Sequence, residues 1–242
     1  FISNQKTNID KIQEELISSI LKKRIKSEPL AYILNEWDFY GETFYLDKNS
    51  LIPRQDTELL IDLVLKRYDK GSILNILDLG TGSGVIGITL SKLYPNSMIT
   101  ISDISSKALN VANKNIKNHN VTNIRSLESD WFDSFKEIEL FDLILTNPPY
   151  ISKDDDHLNN LELGYEPSNA LVASKNGFAD IFKIIDTSPR FLNSEGLLMI
   201  EHGHTQGNRV KNYFQQKSFN NIKQHRDINQ KIRVTSASKI KV

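Results

Sequence analysis

Short apolar runs along the middle of the chain alternate with longer segments in which apolar residues recur every three or four positions. The short runs are typical of buried strands and the longer segments of amphipathic helices. Strands are expected at 73–79, 98–102, 124–127, 140–146, 196–200, 219–225 and 232–236. Helices lie between most of these strands, and the last two strands have the spacing of a hairpin. The pattern predicts an α/β fold, with a doubly wound, mostly parallel sheet of seven strands that contains one antiparallel strand.

The helices between these strands are expected at four places: one ending at Leu93, one at 105–118, one at 177–185 and one ending near Gln216. In the third of them, one face is expected to point inward, and it carries Phe178, Ile181, Phe182 and Ile185. Pro189 should kink or restart this helix, because proline lacks the N–H that an interior helical position needs.

The first fifty residues have a different pattern. Apolar residues at helical spacing predict an amphipathic helix over roughly 8–25, which Pro29 stops. Its apolar stripe must pack on another element to be buried. The aromatic-rich segment 37–46, broken by Gly41, predicts a β-hairpin. We therefore interpret residues 1–50 as a small, partial N-terminal helical and hairpin appendage, and residues 51–242 as the main domain.

A further helix should begin shortly before the first core strand. Asp56 is expected to be its N-cap and Glu58 to lie in its first turn, where an acidic side chain interacts favourably with the helix dipole. Arg54 precedes this helix and could reach the edge of the sheet.

Composition limits the function. The 242 residues include 30 basic and 30 acidic side chains, and this balance does not indicate broad electrostatic binding to nucleic acid. The absence of cysteine excludes disulfides and thiolate chemistry and fits a reducing cytosol. No apolar run approaches the ~20 residues of a membrane span, and residues 1–10 do not resemble a signal peptide. We expect a cytoplasmic monomer that contacts neither a membrane nor nucleic acid directly.

The fourth predicted strand ends in Asn147-Pro148-Pro149-Tyr150. Each proline fixes its own φ and drives the preceding residue toward extended geometry, so Asn147 should be held on a stiff backbone at the carboxyl edge of the sheet. Open α/β sheets bind ligands at this edge. A neutral amide can accept from and donate to a planar amino or amide group, and the Tyr150 ring offers a face for stacking. The segment predicts a site for an sp² nitrogen that carries hydrogens.

The first predicted strand runs into a glycine loop at 78–84. Part of it, 82–87, matches the dinucleotide fingerprint G-x-G-x-x-G, but the first glycine of that fingerprint should directly follow the strand, which already ends near Gly80. Asp78 suits an ammonium group better than a pyrophosphate. Asp103 is placed to accept hydrogen bonds from both ribose hydroxyls, and Trp131 could cover an adenine. Ribose, adenine and an amino acid ammonium without phosphate indicate S-adenosylmethionine.

With these segments the sequence resembles the class I S-adenosylmethionine-dependent methyltransferases, whose fold is Rossmann-like. More closely it resembles the HemK/PrmC family, which methylates the side-chain amide nitrogen of a glutamine in peptide-chain release factors. The other matching segments are 52–54, 56–58, 130–131, 166–167, 170–171 and 201–203. The tetrad at 147–150 is shared with DNA and RNA amino-methyltransferases, whereas the flanking segments are more specific to the glutamine family.

The resemblance implies a set of site residues. Those expected to contact the cofactor are Asp78, Gly80, Thr81, Gly82, Ser83, Gly84, Asp103, Asp130, Trp131 and Asn147. Those expected to be catalytic are Asn147, Pro148, Pro149 and Tyr150, with the Asn147 carbonyl and the Pro148 C=O accepting the two hydrogens of the target amide. The implied substrate is the glutamine of the Gly-Gly-Gln motif in a class 1 release factor, a protein of translation termination, and the N-terminal region is expected to dock it.

The residues leave some alternatives open. Glu201 and His202 lie at a strand edge and are candidate proton acceptors, although a structural role for both is the simpler interpretation. The other histidines show no metal-ligand spacing.

A nucleic-acid amino-methyltransferase with the same tetrad would need a basic surface or a target-recognition domain. A binding module without chemistry would not need the loop, the acid and the tetrad together. The sequence also departs from the family in having one clear N-terminal helix instead of several, and in Pro189.

Overall fold

The computed structural model describes residues 9–241. Its strands are β1 (Glu36–Phe39), β2 (Glu42–Tyr45), β3 (Asn75–Leu79), β4 (Met98–Asp103), β5 (Ile124–Glu128), β6 (Phe141–Thr146), β7 (Leu192–Glu201), β8 (Phe219–Arg226) and β9 (Ile232–Lys239). The first two form a separate hairpin, and the others form one sheet in the order β5-β4-β3-β6-β7-β9-β8. β9 runs antiparallel to both of its neighbours, and the other pairs are parallel. The predicted sheet and its single antiparallel strand are confirmed.

The helices are α1 (Lys11–Ile25), α2 (Leu30–Leu34), α3 (Glu58–Arg67), α4 (Val85–Leu93), α5 (Ser106–Asn118), α6 (Ser168–Leu171), α7 (Ser174–Gly177), α8 (Ala179–Thr187) and α9 (Gly207–Gln215). Short 3₁₀ turns lie at Gln55–Thr57, Asp156–Asn159, Leu163–Tyr165 and Ser188–Arg190. The last of these contains Pro189, so the predicted interruption after α8 takes the form of a 3₁₀ turn. On the inward face of α8, Phe182 is only half-buried and stacks on Phe178 and Tyr213.

Helices cover both faces of the sheet, which explains why β3 and β6 are almost continuously apolar. One buried cluster joins α3 and α4 to one face, with Leu60, Ile88 and Ile76 among its members. A second joins α8 and α9 to the opposite face, with Ile184 and Phe214 among its members. The sheet is therefore the middle of three layers, and its carboxyl edge is left free for a site.

The predicted N-terminal hairpin is confirmed, and it belongs to the main hydrophobic core. Phe39 and Phe44 are buried in the same cluster as Ile76. The Asn115 side chain of α5 accepts from the Tyr45 N–H at 2.8 Å and donates to the Tyr45 carbonyl at 3.0 Å. The hairpin therefore packs as part of the main domain. The division of the chain near residue 50 stays a prediction.

Helix α1 confirms the predicted N-terminal helix but not its packing. Asp10 caps it with a reciprocal pair of hydrogen bonds to Gln13, which sets its first residue at Lys11. Asn8, the expected start, lies outside the described residues. No residue of α1 is buried, and Ile12 and Leu16 are 78% and 60% exposed. Within residues 9–241, no element covers the apolar stripe that was expected to be packed.

The expectation that Asp56 caps the helix before the core is wrong. The 3₁₀ turn Gln55–Thr57 precedes α3, so the N-cap position falls on Thr57, which makes no side-chain cap. The Asp56 carboxylate instead pairs with Arg233 of β9 at 2.9 Å. Glu58 does lie in the first turn of α3, as predicted, and it accepts from the Tyr40 N–H at 2.8 Å. Among the helices described between residues 9 and 241, none is long and apolar enough to cross a membrane.

Candidate active site

The glycine loop leaves the carboxyl end of β3 and is fastened to the neighbouring strand. The N–H groups of Gly80 and Thr81 both donate to the Ser102 carbonyl, at 2.8 and 2.9 Å. Gly80 has φ +76°, a conformation that favours glycine. A Cβ at Gly80 would also lie 3.2 Å from the Trp131 ring. The position needs glycine both for its backbone angle and for its close approach to that ring.

Asp78 lies beneath the loop and is fully buried. Its Oδ2 accepts from the Thr81 hydroxyl at 2.5 Å and from the Gly87 N–H at 3.0 Å, while its Oδ1 has no hydrogen-bond partner among the described residues. Burial raises the pKa of Asp78 to about 6, against the opposing effect of these two hydrogen bonds. Asp78 thus fixes the loop from below and does not line the cavity above it. Its contact with an ammonium group stays a prediction.

Asp103 is the last residue of β4 and lines that cavity. Its Oδ2 accepts from the Gly82 N–H and its Oδ1 from the Ser105 N–H, both at 2.9 Å. Burial raises the pKa of Asp103, and these backbone hydrogen bonds oppose the rise. Each carboxylate oxygen has a second acceptor position. The side chain is therefore fixed in direction and still able to accept two hydroxyl donors.

Trp131 lines the same cavity. It has φ +52°, an unusual value for a bulky residue, and its ring N–H donates to Asp180 at 3.1 Å. Asp130 is exposed and pairs with Lys183 at 2.9 Å. The cavity between these residues and the loop has a volume of about 360 Å³, and it is also lined by Gly80, Gly82, Asn147 and Pro149. Thr81, Ser83 and Gly84 belong to the loop but do not line this cavity.

The tetrad at 147–150 follows β6 directly, and its residues face two different cavities. Pro149 lines the smaller cavity, whereas Pro148 and Tyr150 line a larger one of about 930 Å³. Asn147 lines both. The side chain predicted to hold the acceptor nitrogen therefore lies in the wall that the two cavities share.

Asn147 is held by a partner that the sequence did not reveal. Its Nδ2 donates to the Thr57 hydroxyl at 3.2 Å, across 90 residues of chain. Thr57 is buried, with 3% of its surface exposed. The only sequence signal for Thr57 was its place inside the matching segment 56–58, in which the expected roles were assigned to the two flanking acids.

The larger cavity is lined by charged side chains of both signs. Arg54 lines it and pairs with Glu166 at 2.5 Å, which confirms that Arg54 reaches the sheet edge. Glu166 is buried and also accepts from the Ile52 N–H at 3.0 Å. The Tyr150 carbonyl accepts from Gln206 at 3.0 Å, and Gly177 packs so closely on it that a Cβ there would lie 2.1 Å from that oxygen.

Glu201 and His202 are both fully buried at the end of β7. Burial lowers the pKa of His202 to about 4. The two ring nitrogens form hydrogen bonds, one with the Thr235 hydroxyl at 2.8 Å and the other with the Gly203 carbonyl at 3.0 Å. These contacts occupy both ring nitrogens and give His202 a structural role.

Burial raises the pKa of Glu201 to about 7. Neither of its oxygens forms a hydrogen bond with a described residue. The Thr57 hydroxyl favours the charged form and opposes part of the rise in pKa. Within residues 9–241, no group of three or more histidine, aspartate or glutamate side chains has the arrangement of a metal site.

The fold and this edge of the sheet define a methyltransferase domain. The family model described as "Methyltransferase small domain" matches residues 55–163. A methyltransferase of Pyrococcus furiosus with a known crystal structure has the same fold, with a TM-score of 0.62 and 16% identity over 96% of this chain and 100% of that one. At this identity the similarity concerns the fold alone.

Two relatives define the family more narrowly. The release factor glutamine methyltransferase of Francisella tularensis is 39% identical over 233 residues, which cover 96% of this chain and 80% of that protein. The release factor glutamine methyltransferase of Haemophilus influenzae is 37% identical over 243 residues, which cover 95% of this chain and 82% of that protein. The chain belongs to the family of release factor glutamine methyltransferases. The resemblance drawn from the sequence motifs is confirmed.

Proposed function

We propose that this protein transfers a methyl group from S-adenosylmethionine to the side-chain amide nitrogen of a glutamine in a class 1 peptide-chain release factor, and so acts in translation termination in the cytoplasm. The relatives bear this activity in their names. The observation in this chain that supports it most directly is Asn147, which lines both cavities at the sheet edge. An amide in that shared wall contacts a methyl donor on one side and an acceptor on the other.

The smaller cavity has the features that S-adenosylmethionine requires. Its volume of about 360 Å³ is within the ~300–1,000 Å³ of small-molecule sites. Asp103 offers acceptor positions for two ribose hydroxyls, and the Trp131 ring offers a face for the adenine. When bound, S-adenosylmethionine would supply a methyl group on a positively charged sulfur, which is already activated for transfer; the sulfur would keep the bonding electrons as S-adenosylhomocysteine, and the methylated nitrogen would lose one proton.

The tetrad supplies the positioning of the acceptor. An amide nitrogen shares its lone pair with its carbonyl, so it must be oriented before it can attack. The Asn147 Oδ1 and the Pro148 carbonyl accept its two hydrogens and direct the nitrogen toward the smaller cavity. Positioning of this kind lowers a barrier by up to ~7–11 kcal/mol in ideal cases. The same contacts strengthen as positive charge develops on the nitrogen.

The larger cavity supports a glutamine as the acceptor. A long, unbranched side chain flanked by glycines can extend from a protein loop to the shared wall, where a nucleic-acid base would first have to leave its stack. The Tyr150 ring offers a stacking face for the planar amide. The cavity lining combines acids such as Asp155 and Glu162 with bases such as Arg209 and Lys231, a mixture that suits a protein better than a polyphosphate.

Mass spectrometry of an intact release factor tests the function. After incubation with enzyme and S-adenosylmethionine, the factor should gain about 14 Da, one methyl replacing one hydrogen. The gain should map to the Gly-Gly-Gln glutamine and disappear when that glutamine is replaced by alanine. Labelled methyl on DNA or ribosomal RNA, with none on the factor, would contradict the proposal.

Asn147→Ala tests the role of the shared wall. It should abolish transfer while the protein still folds, since it removes one partly buried amide and a single hydrogen bond. Asn147→Asp should also lower kcat strongly, because it replaces the amide by a charge. Asn75→Ala is a matched control, since Asn75 donates one side-chain hydrogen bond at the opposite end of the sheet. Normal turnover by either Asn147 variant would show that this amide does not hold the substrate.

A further inference from the structure

The proposed transfer requires one orientation of the Asn147 side-chain amide, with its oxygen toward the substrate. Only its oxygen can accept a hydrogen from the substrate amide, so its nitrogen must face elsewhere. Among residues 9–241, the Asn147 side chain makes one hydrogen bond to protein, in which Nδ2 donates to the Thr57 hydroxyl at 3.2 Å. The direction of that bond determines which end of the amide faces the acceptor.

A hydroxyl alone does not determine this direction. The Thr57 oxygen can accept from the Asn147 nitrogen, or its hydrogen can be donated to the Asn147 oxygen, and the second arrangement would turn the amide over. The direction is set only if the hydroxyl hydrogen is already given to another acceptor.

The candidate for that acceptor is the carboxyl of Glu201. It is fully buried at the end of β7, and neither of its oxygens has a hydrogen-bond partner among the described residues. The Thr57 hydroxyl is near enough to shift the titration of this carboxyl in the direction expected of a donated hydrogen bond. A buried carboxyl without partners is costly, and a hydrogen donated by the Thr57 hydroxyl would reduce that cost.

The chain just before Thr57 is fixed by two ion pairs. Arg54 pairs with Glu166 at 2.5 Å, and Asp56 pairs with Arg233 at 2.9 Å. The Thr57 N–H donates to the Arg54 carbonyl at 3.1 Å within the 3₁₀ turn. The hydroxyl is therefore carried on a turn that has little freedom to move away from Asn147.

We propose that Thr57 is a positioning residue for methyl transfer: its hydroxyl donates to Glu201 and accepts from Asn147, so that the Asn147 oxygen faces the acceptor nitrogen. This inference rests on the proposed function and specifies how its key side chain is oriented. Thr57 lines neither cavity and acts through Asn147.

Kinetics of Thr57→Val and Thr57→Ser test the proposal. Valine keeps the volume of threonine and removes the hydroxyl, so kcat should fall about 10- to 100-fold, the scale on which a slightly misplaced group loses rate. The dissociation constant of S-adenosylmethionine should be unchanged, because Thr57 is not in the smaller cavity. Serine keeps the hydroxyl and should restore most of kcat.

Thr89→Val is the matched control. Thr89 is also buried, and its hydroxyl has no hydrogen-bond partner among the described residues, so the same change there should leave kcat unaltered. If Thr57→Val does not fold, Thr57→Ala removes the hydroxyl without adding a methyl group and takes its place. A kcat of Thr57→Val or Thr57→Ala equal to that of the wild type would overturn the proposal, as would an equal loss in the serine variant.

An NMR measurement separates this inference from the proposed function. The side-chain amide signals of Asn147, assigned by their absence in Asn147→Ala, should shift in Thr57→Val and stay near their wild-type positions in Thr57→Ser, with no acceptor present. Unshifted signals in Thr57→Val would overturn the orientation. If the wild type methylates nucleic acid instead of a release factor, the proposed function fails, and the valine and serine variants still test the inference on that acceptor.

Discussion

Each side chain proposed to act at the sheet edge is fixed by a partner that leaves its functional atoms free. Two backbone N–H groups hold Asp103, and both of its oxygens keep one acceptor position. Asp180 holds the Trp131 ring by its N–H, and the ring lines the smaller cavity. Thr57 holds the nitrogen of Asn147 and leaves the oxygen available. Such preorganisation reduces the ordering that ligand binding would otherwise require.

Asp103→Ala should weaken S-adenosylmethionine binding by ~1.5–3 kcal/mol, since it removes a charged acceptor from hydroxyl donors. Titration calorimetry measures the change. Asp142→Ala is the control, because Asp142 also accepts two hydrogen bonds, from Asn75 and Asn193, at the other end of the sheet. Both variants should lose stability, but only the first should lose affinity. Equal affinities would mean that the ribose does not contact Asp103.

Glu201 should make the stability of the protein depend on pH. Its pKa is raised from the ordinary 4.5 to about 7, mainly by burial, while Arg233 and Arg54 favour the charged form and Asp56 opposes it. The folded state then binds more protons than the unfolded state between these values. The contribution to stability is fully present below about pH 4.5 and is lost as the pH rises through about 7.

Glu201→Gln tests this, because glutamine cannot ionise. Between about pH 5 and about pH 8, the free energy of unfolding of the wild type should fall relative to that of the variant by at most about 3 kcal/mol, at about 1.4 kcal/mol for each pKa unit. Asp78 has a raised pKa in both proteins and cancels in the comparison. Denaturant titrations across this range measure the difference, and parallel pH curves would contradict the prediction.

At the scale of elements, the segment from Ile52 to Thr57 connects the N-terminal hairpin to the sheet edge. Glu166, which also lines the larger cavity, accepts from the Ile52 N–H and pairs with Arg54. Asp56 pairs with Arg233 of β9. This segment, whose only regular structure is the 3₁₀ turn Gln55–Thr57, is thus fixed by three long-range contacts, which explains how a turn can carry the residue that orients Asn147.

Glu166→Ala should lower the free energy of unfolding by ~1–3 kcal/mol, because it leaves the Ile52 N–H without its acceptor. It should also lower kcat for the release factor, since the turn that carries Thr57 loses one of its fixed points. Glu162→Ala is the control from the same loop. Glu162 is half-exposed and pairs with Arg24 at 2.8 Å, so its loss should cost about 1 kcal/mol or less. Equal destabilisation in denaturant titrations would contradict the assignment.

At the scale of the whole molecule, the exposed helix α1 is joined to the loop that lines the larger cavity. Arg24 pairs with Glu162, and the Tyr165 hydroxyl donates to the Lys26 carbonyl at 2.8 Å. The C-terminal end of α1 is therefore joined to the acceptor side of the site, and the exposed apolar residues Ile12 and Leu16 lie nearer the other end of the same helix. We propose that the apolar stripe of α1 docks the release factor, which is the role expected for residues 1–50.

The double variant Ile12→Lys, Leu16→Lys should lower kcat/KM for an intact release factor by about tenfold or more, equivalent to about 1.4 kcal/mol of lost binding. A short Gly-Gly-Gln peptide should be a poorer substrate than the factor, since remote contacts supply binding energy, and it should react equally with both proteins. Ile138→Lys is the control, because Ile138 is 87% exposed and lines neither cavity. An unchanged kcat/KM for the factor would show that α1 does not dock it.

The order of elements followed from the sequence because it is encoded locally. Apolar runs, helical spacing and glycine or proline positions restrict the backbone within a few residues, so the seven strands and the tetrad at 147–150 could be placed without a structure. The prediction for Asp56 was wrong because a local pattern does not show contacts with distant parts of the chain. The local pattern at Asp56 fits an N-cap, but an ion pair with Arg233, far along the chain, uses the carboxylate instead.

The sequence alone determined the fold class, the family and the candidate cofactor and acceptor residues, since these depend on short segments. Only the tertiary structure decided which residues meet. The fold puts Asn147 in the wall between two cavities, Thr57 against it from 90 residues away, and Glu166 on Arg54 from 112 residues away. Such pairs depend on the order of strands in the sheet and on the path of the loops above it, and no local pattern encodes either.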